Sequence, residues 1–186
     1  EGIGKITFRG NVVYEGDWVN NLRQGRGTIN YGDGRVYEGE WLDDDRSGQG
    51  IVTVHGVVKY NGTWQFNRAH GQGTYLFPNG DVYRGNWWFS RMDGKGTMTY
   101  NNGEIYEGDW SYDKKKGQGK MTYSDGAVYE GKWLDNKKNG NGIMMYANGD
   151  KYEGNFLEDN KDGEGKMTYS DEAVYEGVWR DNKKKQ

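Results

Sequence analysis

The word Tyr-x-Gly-x-Trp returns through this chain at a fixed step of 23 residues, and no other feature restricts the possible folds so sharply. Its ring pairs are Tyr14 and Trp18, Tyr37 and Trp41, Tyr60 and Trp64, Tyr83 and Trp87, Tyr106 and Trp110, Tyr129 and Trp133, Tyr152 and Phe156, and Tyr175 and Trp179. Only Phe156 departs from the word, and it stays aromatic. A second word, Gly-x-Gly, keeps the same step from Gly2 and Gly4 to Gly163 and Gly165. Such an array is built from small units, each unable to bury its apolar face except against its neighbours.

Composition agrees with repetitive use of few apolar residues. Only 33% of the chain is apolar, yet 15% is aromatic, and 32 residues are glycine. That apolar share is low for one pooled core, and the aromatic share is high for a disordered chain. There is no cysteine and there are two histidines, so neither thiolate zinc sites nor a repeated histidine site is expected; no metal or cofactor is predicted. An intracellular location follows most simply. No apolar run is long enough to cross a bilayer as a helix. Glu1 starts in repeat phase, so residues 1–186 are expected to form one continuous array cut from a longer one.

Within one unit, Gly96 to Tyr100 and Ile105 to Trp110 alternate in polarity and read as strands around Asn101-Asn102-Gly103. A two-residue loop would place Met98 and Tyr100 on the face opposite Tyr106 and Trp110, whereas a three-residue loop places all four together. The three-residue turn with a left-handed closing glycine is therefore predicted. It pairs Gly96 with Gly108, Met98 with Tyr106 and Gly94 with Trp110, and on the reverse face Lys5 with Glu15, Lys120 with Glu130 and Lys166 with Glu176. Val57 and Glu172 replace the turn glycine, so the third and eighth hairpins are expected to have altered turns. The predicted fold is all-β: an elongated single-layer antiparallel meander of eight hairpin repeats.

Tyr-Glu-Gly-x-Trp, a polar loop, Gly-x-Gly-x-Met-x-Tyr and Asn-Gly closely resemble the MORN repeat, the membrane occupation and recognition nexus, over essentially the whole chain. The resemblance implies a run of β-hairpins in one elongated sheet. It also implies an accessory or scaffold role, since MORN arrays accompany lipid kinases, methyltransferases, membrane-junction proteins, ciliary components and cytoskeletal scaffolds. A chain made only of repeats is most similar to the scaffolds, which dimerise near their C-terminal ends.

No residue pattern demands catalysis. Glu107 and Asp109 recur in most units, as a polar face does, whereas a catalytic pair is unique and sheltered. Gly117-Gln118-Gly119-Lys120 has no strand-to-helix turn after it, and Asp43-Asp44-Asp45 lacks the spacing of a calcium loop. The chain is therefore read as a non-enzymatic scaffold that assembles with itself in a cytoskeletal or membrane-associated structure. Its protein partner, such as an amphipathic helix, would enter a groove formed by the sixteen rings above. The alternative is an acidic-membrane or phosphoinositide module working through a lysine edge of Lys114, Lys115, Lys116, Lys137, Lys138 and Lys161. That edge would continue a ridge of Arg23, Arg46, Arg68 and Arg91 with no aromatic interleaved, and nucleic acid is not expected to bind. A third alternative makes the array the regulatory or spacer arm of an enzymatic domain. Val174, Glu176 and Val178 on the last long strand are expected to form a homodimer edge, Val178 standing in a solvent-facing slot that is Asp17, Glu40 or Asp109 elsewhere.

Overall fold

The computed structural model describes residues 2–185, and every helix or strand among them is a strand. They form two compact units, one up to Arg91 and one from Met92. The first contains β1 (Gly2–Thr7), β2 (Val13–Val19), β3 (Leu22–Asn30), β4 (Arg35–Leu42), β5 (Asp45–Val54), β6 (Val57–Gln65), β7 (Arg68–Leu76) and β8 (Val82–Trp88). The second contains β9 (Arg91–Thr99), β10 (Ile105–Ser111), β11 (Lys114–Thr122), β12 (Val128–Leu134), β13 (Lys137–Met145), β14 (Lys151–Leu157), β15 (Asn160–Thr168), β16 (Val174–Arg180) and β17 (Lys183–Lys184). Within each unit every strand pairs antiparallel with the next, so each unit is an antiparallel meander.

The expected register holds. Gly96 pairs with Gly108, Met98 with Tyr106 and Gly94 with Trp110. Lys5 lies opposite Glu15, with Nζ 3.1 Å from Oε2, while Lys120 faces Glu130 and Lys166 faces Glu176. The turn responsible closes as predicted: the Tyr100 amide donates to the Glu104 carbonyl at 2.9 Å, and Gly103, at φ 88°, donates to Tyr100 at 3.0 Å. In the third hairpin the loop shortens to His55-Gly56 and Val57 joins β6 opposite Val54, so its turn is altered. The eighth is not. Glu172 takes the left-handed conformation itself, at φ 68°, and its amide donates to the Tyr169 carbonyl at 2.9 Å. Its side chain is exposed there and clashes with nothing, so the hydrogen bonds of the turn outweigh the modest cost of positive φ.

The polar stretches between repeats are themselves tight hairpins rather than loops. Tyr112 and Asp113, at φ 48° and 68°, join β10 to β11 directly, as Asn20 and Asn21 join β2 to β3. Positive φ at both central residues marks the type I′ turn, which suits Asn and Asp. The second turn residue also ties one repeat to the previous one: the amide of Lys115 donates to Asn136 Oδ1 at 2.8 Å, and that of Lys138 to Asp159 Oδ1 at 2.9 Å.

The strands β3, β5, β7, β11, β13 and β15 each carry a bulge where they pair with the strand before. Gly108 and Trp110, two residues apart, face Gly119 and Lys115, four residues apart, and Gly117 absorbs the kink at φ 81°. The bulge frees an amide, and the acidic slot fills it: Asp17 Oδ2 accepts from the Arg26 amide at 2.8 Å, and Asp109 Oδ2 from the Gln118 amide at 2.9 Å. The slot expected to be merely solvent-facing therefore has a backbone partner in these repeats.

Candidate interaction face

The face that carries the sixteen rings is built upward from a file of glycines. In the second unit Gly96, Gly108, Gly119, Gly131, Gly142, Gly154, Gly165 and Gly177 pair across successive strands. Bare backbone at these points lets a tyrosine ring lie flat on the sheet; a methyl on Gly119 would sit 2.6 Å from Tyr106 Cε2. The Tyr106 hydroxyl then donates to the Asp109 carbonyl at 2.9 Å. The indole supplies the counterpart: Trp110 Nε1 donates to the Gly96 carbonyl at 3.2 Å, and Trp41, Trp64, Trp133 and Trp179 repeat that bond to a glycine 14 residues earlier. Phe156 has no N–H with which to make it.

Tyrosine and tryptophan rings alternate along each unit in edge-to-face contact. Tyr106 meets Trp110 at 5.1 Å and Trp133 at 5.3 Å, and in the first unit Tyr37 meets Trp41 and Trp64, each at 5.3 Å. Such pairs add roughly 0.5–1.5 kcal/mol each beyond burial.

These rings do not line an open groove. Tyr14, Tyr37, Tyr83, Tyr106, Tyr129 and Tyr152 are 0% exposed, and Trp41, Trp64, Trp87, Trp110, Trp133 and Trp179 are 3–8% exposed. A second tier covers them. Lys115 Nζ lies 5.0 Å from the Tyr106 centroid, 4.9 Å from Trp133 and 5.2 Å from Tyr100; Lys161 is held the same way by Tyr146, Tyr152 and Trp179. In the first unit Arg23 and Arg46 stand 4.3 Å over Trp41 and Trp64. The residues expected to form a ridge free of aromatics are thus, in each unit, cations held over rings: Arg23 and Arg46 in the first, and Lys115, Lys138, Lys161 and Lys184 in the second. Arg68 and Arg91 stand one residue out of this phase; Ala69 and Met92 occupy the stacked slot and are buried.

Burial dominates the electrostatics of the two tiers. It pushes Tyr123 up to about 12, and raises Tyr106 and Tyr129 further. Burial also lowers Lys115, Lys138 and Lys161, and the nearby carboxylates of Glu104, Asp159 and Asp150 oppose that shift only in part.

The six lysines assigned to a lipid edge divide between two sides. Strand alternation sends Lys115, Lys138 and Lys161 over the rings, and Lys114 and Lys137 away from them, where their Nζ atoms pair with Asp135 at 3.2 Å and Glu158 at 3.3 Å. Lys116 shares the outward parity of Lys114 and is exposed. At the dimer edge, Val174 and Val178 are exposed, but β17 pairs with the end of β16 and the Lys185 amide donates to the Val178 carbonyl at 2.8 Å. The turn places Tyr100 on the ring face as expected, but the outer row of Tyr100, Tyr123, Tyr146 and Tyr169 is not among the predicted site residues. Its signal is in the sequence, since each stands 15 residues before the lysine it contacts.

Comparison with known proteins agrees with this construction. The family model described as MORN repeat matches residues 14–34, 37–53, 60–82, 83–105, 106–128, 129–151, 152–174 and 175–185. No curated protein sequence matches the chain. Among solved structures, the wild-type TCP10 domain of CPAP from Danio rerio is similar at a TM-score of 0.51, with 11% identity over 94% of this chain and 83% of that one. The TCP domain of SAS-4 (dCPAP) of Drosophila melanogaster, in complex with a proline-rich motif of Ana2 (dSTIL), has a TM-score of 0.48, with 12% identity over 96% of this chain and 90% of that one. At such identities the first likeness concerns the fold alone.

Proposed function

We propose that this chain, which belongs to the MORN-repeat family, is a non-catalytic scaffold that binds protein partners on its ring-bearing face and assembles with itself within a cytoskeletal or membrane-associated structure. The observation that carries this reading is the outer tier. At each step from Lys115 to Lys184 it presents a half-exposed tyrosine beside an ammonium already stacked on rings. Cation and ring are both held in place before any partner arrives, which lowers the ordering cost of an interface. Buried rings supply rigidity, and the partner meets Tyr100, Tyr123, Tyr146 and the lysine stems between them. Among the described residues no group of three or more His, Cys, Asp or Glu side chains is placed to hold a metal ion, and no helix is long and apolar enough to cross a membrane.

Self-assembly is assigned to β16, where Val174 and Glu176 lie beyond the two residues of β17. A photo-cross-linking phenylalanine analogue at Tyr123, compared with one at Thr122 on the reverse face, tests the partner face in cells. Protein adducts from position 123 alone are expected. Equal yields from both positions, or lipid adducts from 123, would overturn the reading.

A further inference from the structure

Most type I′ tips in the chain place a polar residue first: Asn20, Asp43, Asp135, Glu158 and Asp181. Phe66 and Phe89 in the first unit, and Tyr112 in the second, break that pattern, at φ 47°, 44° and 48°; only Phe89 of the three packs into a ring cluster with a tryptophan and a histidine. A bulky aromatic is among the residues least suited to the left-handed region, and nothing in the turn requires one. Strain of this kind, held where a cheaper residue is used elsewhere, points to a functional constraint.

The Phe89-Ser90 tip leans on the start of β7, just after the Phe66 tip, where the Ser90 amide donates to the Ala69 carbonyl at 2.8 Å. His70 packs at a tilt against Trp88 at 4.7 Å and Phe89 at 4.9 Å, and Trp88 meets Phe89 edge-on at 5.0 Å. His70 Nδ1 is buried there without a hydrogen-bond partner, a further cost accepted to hold this platform. Despite that packing, Trp88 remains 50% exposed and Phe66 64%. Arg68 begins β7 directly after the Phe66 tip, is exposed, and forms no ion pair among the described residues.

We propose that Phe66, Trp88, Phe89 and Arg68 form a docking site for a short acidic segment of another polypeptide. An aromatic or leucine side chain of the segment packs on Trp88 and Phe66 while its carboxylate meets the Arg68 guanidinium. Size selects a segment over a second copy of this chain: aromatic side chains present roughly 150–250 Å² each. The exposed parts of Phe66 and Trp88 therefore amount to about 200–250 Å², well below the roughly 800 Å² per partner of a stable interface. Charge selects an acidic one, since the cation beside the platform lacks a carboxylate. Trp and Arg at a rigid centre are also the residue types that dominate binding energy. The site deepens the protein-binding function proposed above and rests on it, but it shares no residue with the stacked-lysine tier.

The test pans a random dodecapeptide library on the whole chain, with counter-selection on a variant carrying Phe66→Asn, Trp88→Leu and Phe89→Asn. These replacements copy residues found at the same slots in other repeats, so the variant is expected to fold with an equal or higher melting temperature. Enriched peptides that pair Asp or Glu with Trp, Phe or Leu, and that bind at least 10-fold more weakly to Phe66→Asn or Trp88→Leu and about 5-fold more weakly to Arg68→Gln, support the site. Peptides without that composition, or with equal affinity for the variants, overturn it. Co-sedimentation of the wild-type chain with phosphatidylserine vesicles, lost in Phe66→Asn, would assign the tips to a bilayer instead. Failure at the tips with continued protein cross-links from position 123 would leave the scaffold reading standing and remove only this site.

Discussion

The two units share the glycine file and the ring ladder but cap them differently. In the first, Arg23 does two jobs at once: its guanidinium covers Trp41, and it donates through Nε to Asp44 Oδ1 at 2.9 Å and through Nη2 to the Asp44 carbonyl at 2.8 Å. Burial alone would raise the Asp44 carboxyl, but the hydrogen bonds that its Oδ1 accepts from the Arg23 amide, at 2.9 Å, and from Nε, with the guanidinium charge beside it, hold it below the usual range. In the second unit the caps after Met92 are lysines, which have no planar fork for such a pair; Lys115, Lys138 and Lys161 each rest instead among three rings, the third a tyrosine of the outer row.

Ala69 shows what is common to both solutions. Where the cap has no side chain beyond a methyl, Tyr75 stands in a row otherwise held by Ile29, Val52 and Met residues, and its ring reaches Trp87 at 6.1 Å and Phe77 at 4.7 Å. A large neighbour thus fills the space that arginine fills over Trp41 and Trp64. The slot must be occupied, and charge is one of several ways to occupy it.

The largest effect tests the shared layer. Gly27→Ala in the first unit and Gly119→Ala in the second would each drive a methyl into a tyrosine ring, at 2.6 Å from Tyr14 Cε2 and Tyr106 Cε2. Each is expected to cost about 3 kcal/mol or more, against about 1 kcal/mol for Gly126→Ala, a turn position at φ 89° with open space around it. Urea unfolding measures this, and clearly unequal losses in the two units would show that the file is not the common foundation. A smaller effect tests the cap. Lys115→Ala should cost about 1–2 kcal/mol by uncovering Trp133, while Lys115→Met, which copies Met92, should stay within about 0.5 kcal/mol of the parent. A Met variant as damaged as the Ala variant would make the ammonium itself the essential part.

The smallest effect separates the units by pH. Burial holds Lys115, Lys138 and Lys161 below the ordinary 10.5, so in the window between their folded values and 10.5 the unfolded chain keeps protons that the folded chain has lost. Stability therefore rises with pH across that window. Buried tyrosines act oppositely: Tyr106 and Tyr129 are raised above 10.0, so past that pH the unfolded phenols ionise first and stability falls. Changing all three lysines to Met should abolish the rising limb and leave the fall. A rising limb that survives the triple change would place its origin elsewhere.

What the sequence determined by itself was everything that depends on phase. A step of 23 residues, alternation within strands and a glycine three residues into a turn specify which residues pair, because slipping a strand by one residue would turn every ring to the wrong face. That is why the pairing of Gly96 with Gly108, and of Met98 with Tyr106, was legible without coordinates. Phase does not reveal height above the sheet. Whether Tyr106 and Trp110 stay open or lie beneath a second tier depends on side chains from neighbouring strands, and Lys115 reaches its rings because the type I′ turn at Tyr112 and Asp113 and the bulge near Gly117 set it opposite Trp110 with its side chain on the ring face. The tips depended on tertiary structure in the same way: spacing along the chain does not show that Trp88 and Phe89 close around His70, or that the Ser90 amide reaches the Ala69 carbonyl. Pairing is a property of spacing along the chain, whereas covering a surface is a property of packing in three dimensions.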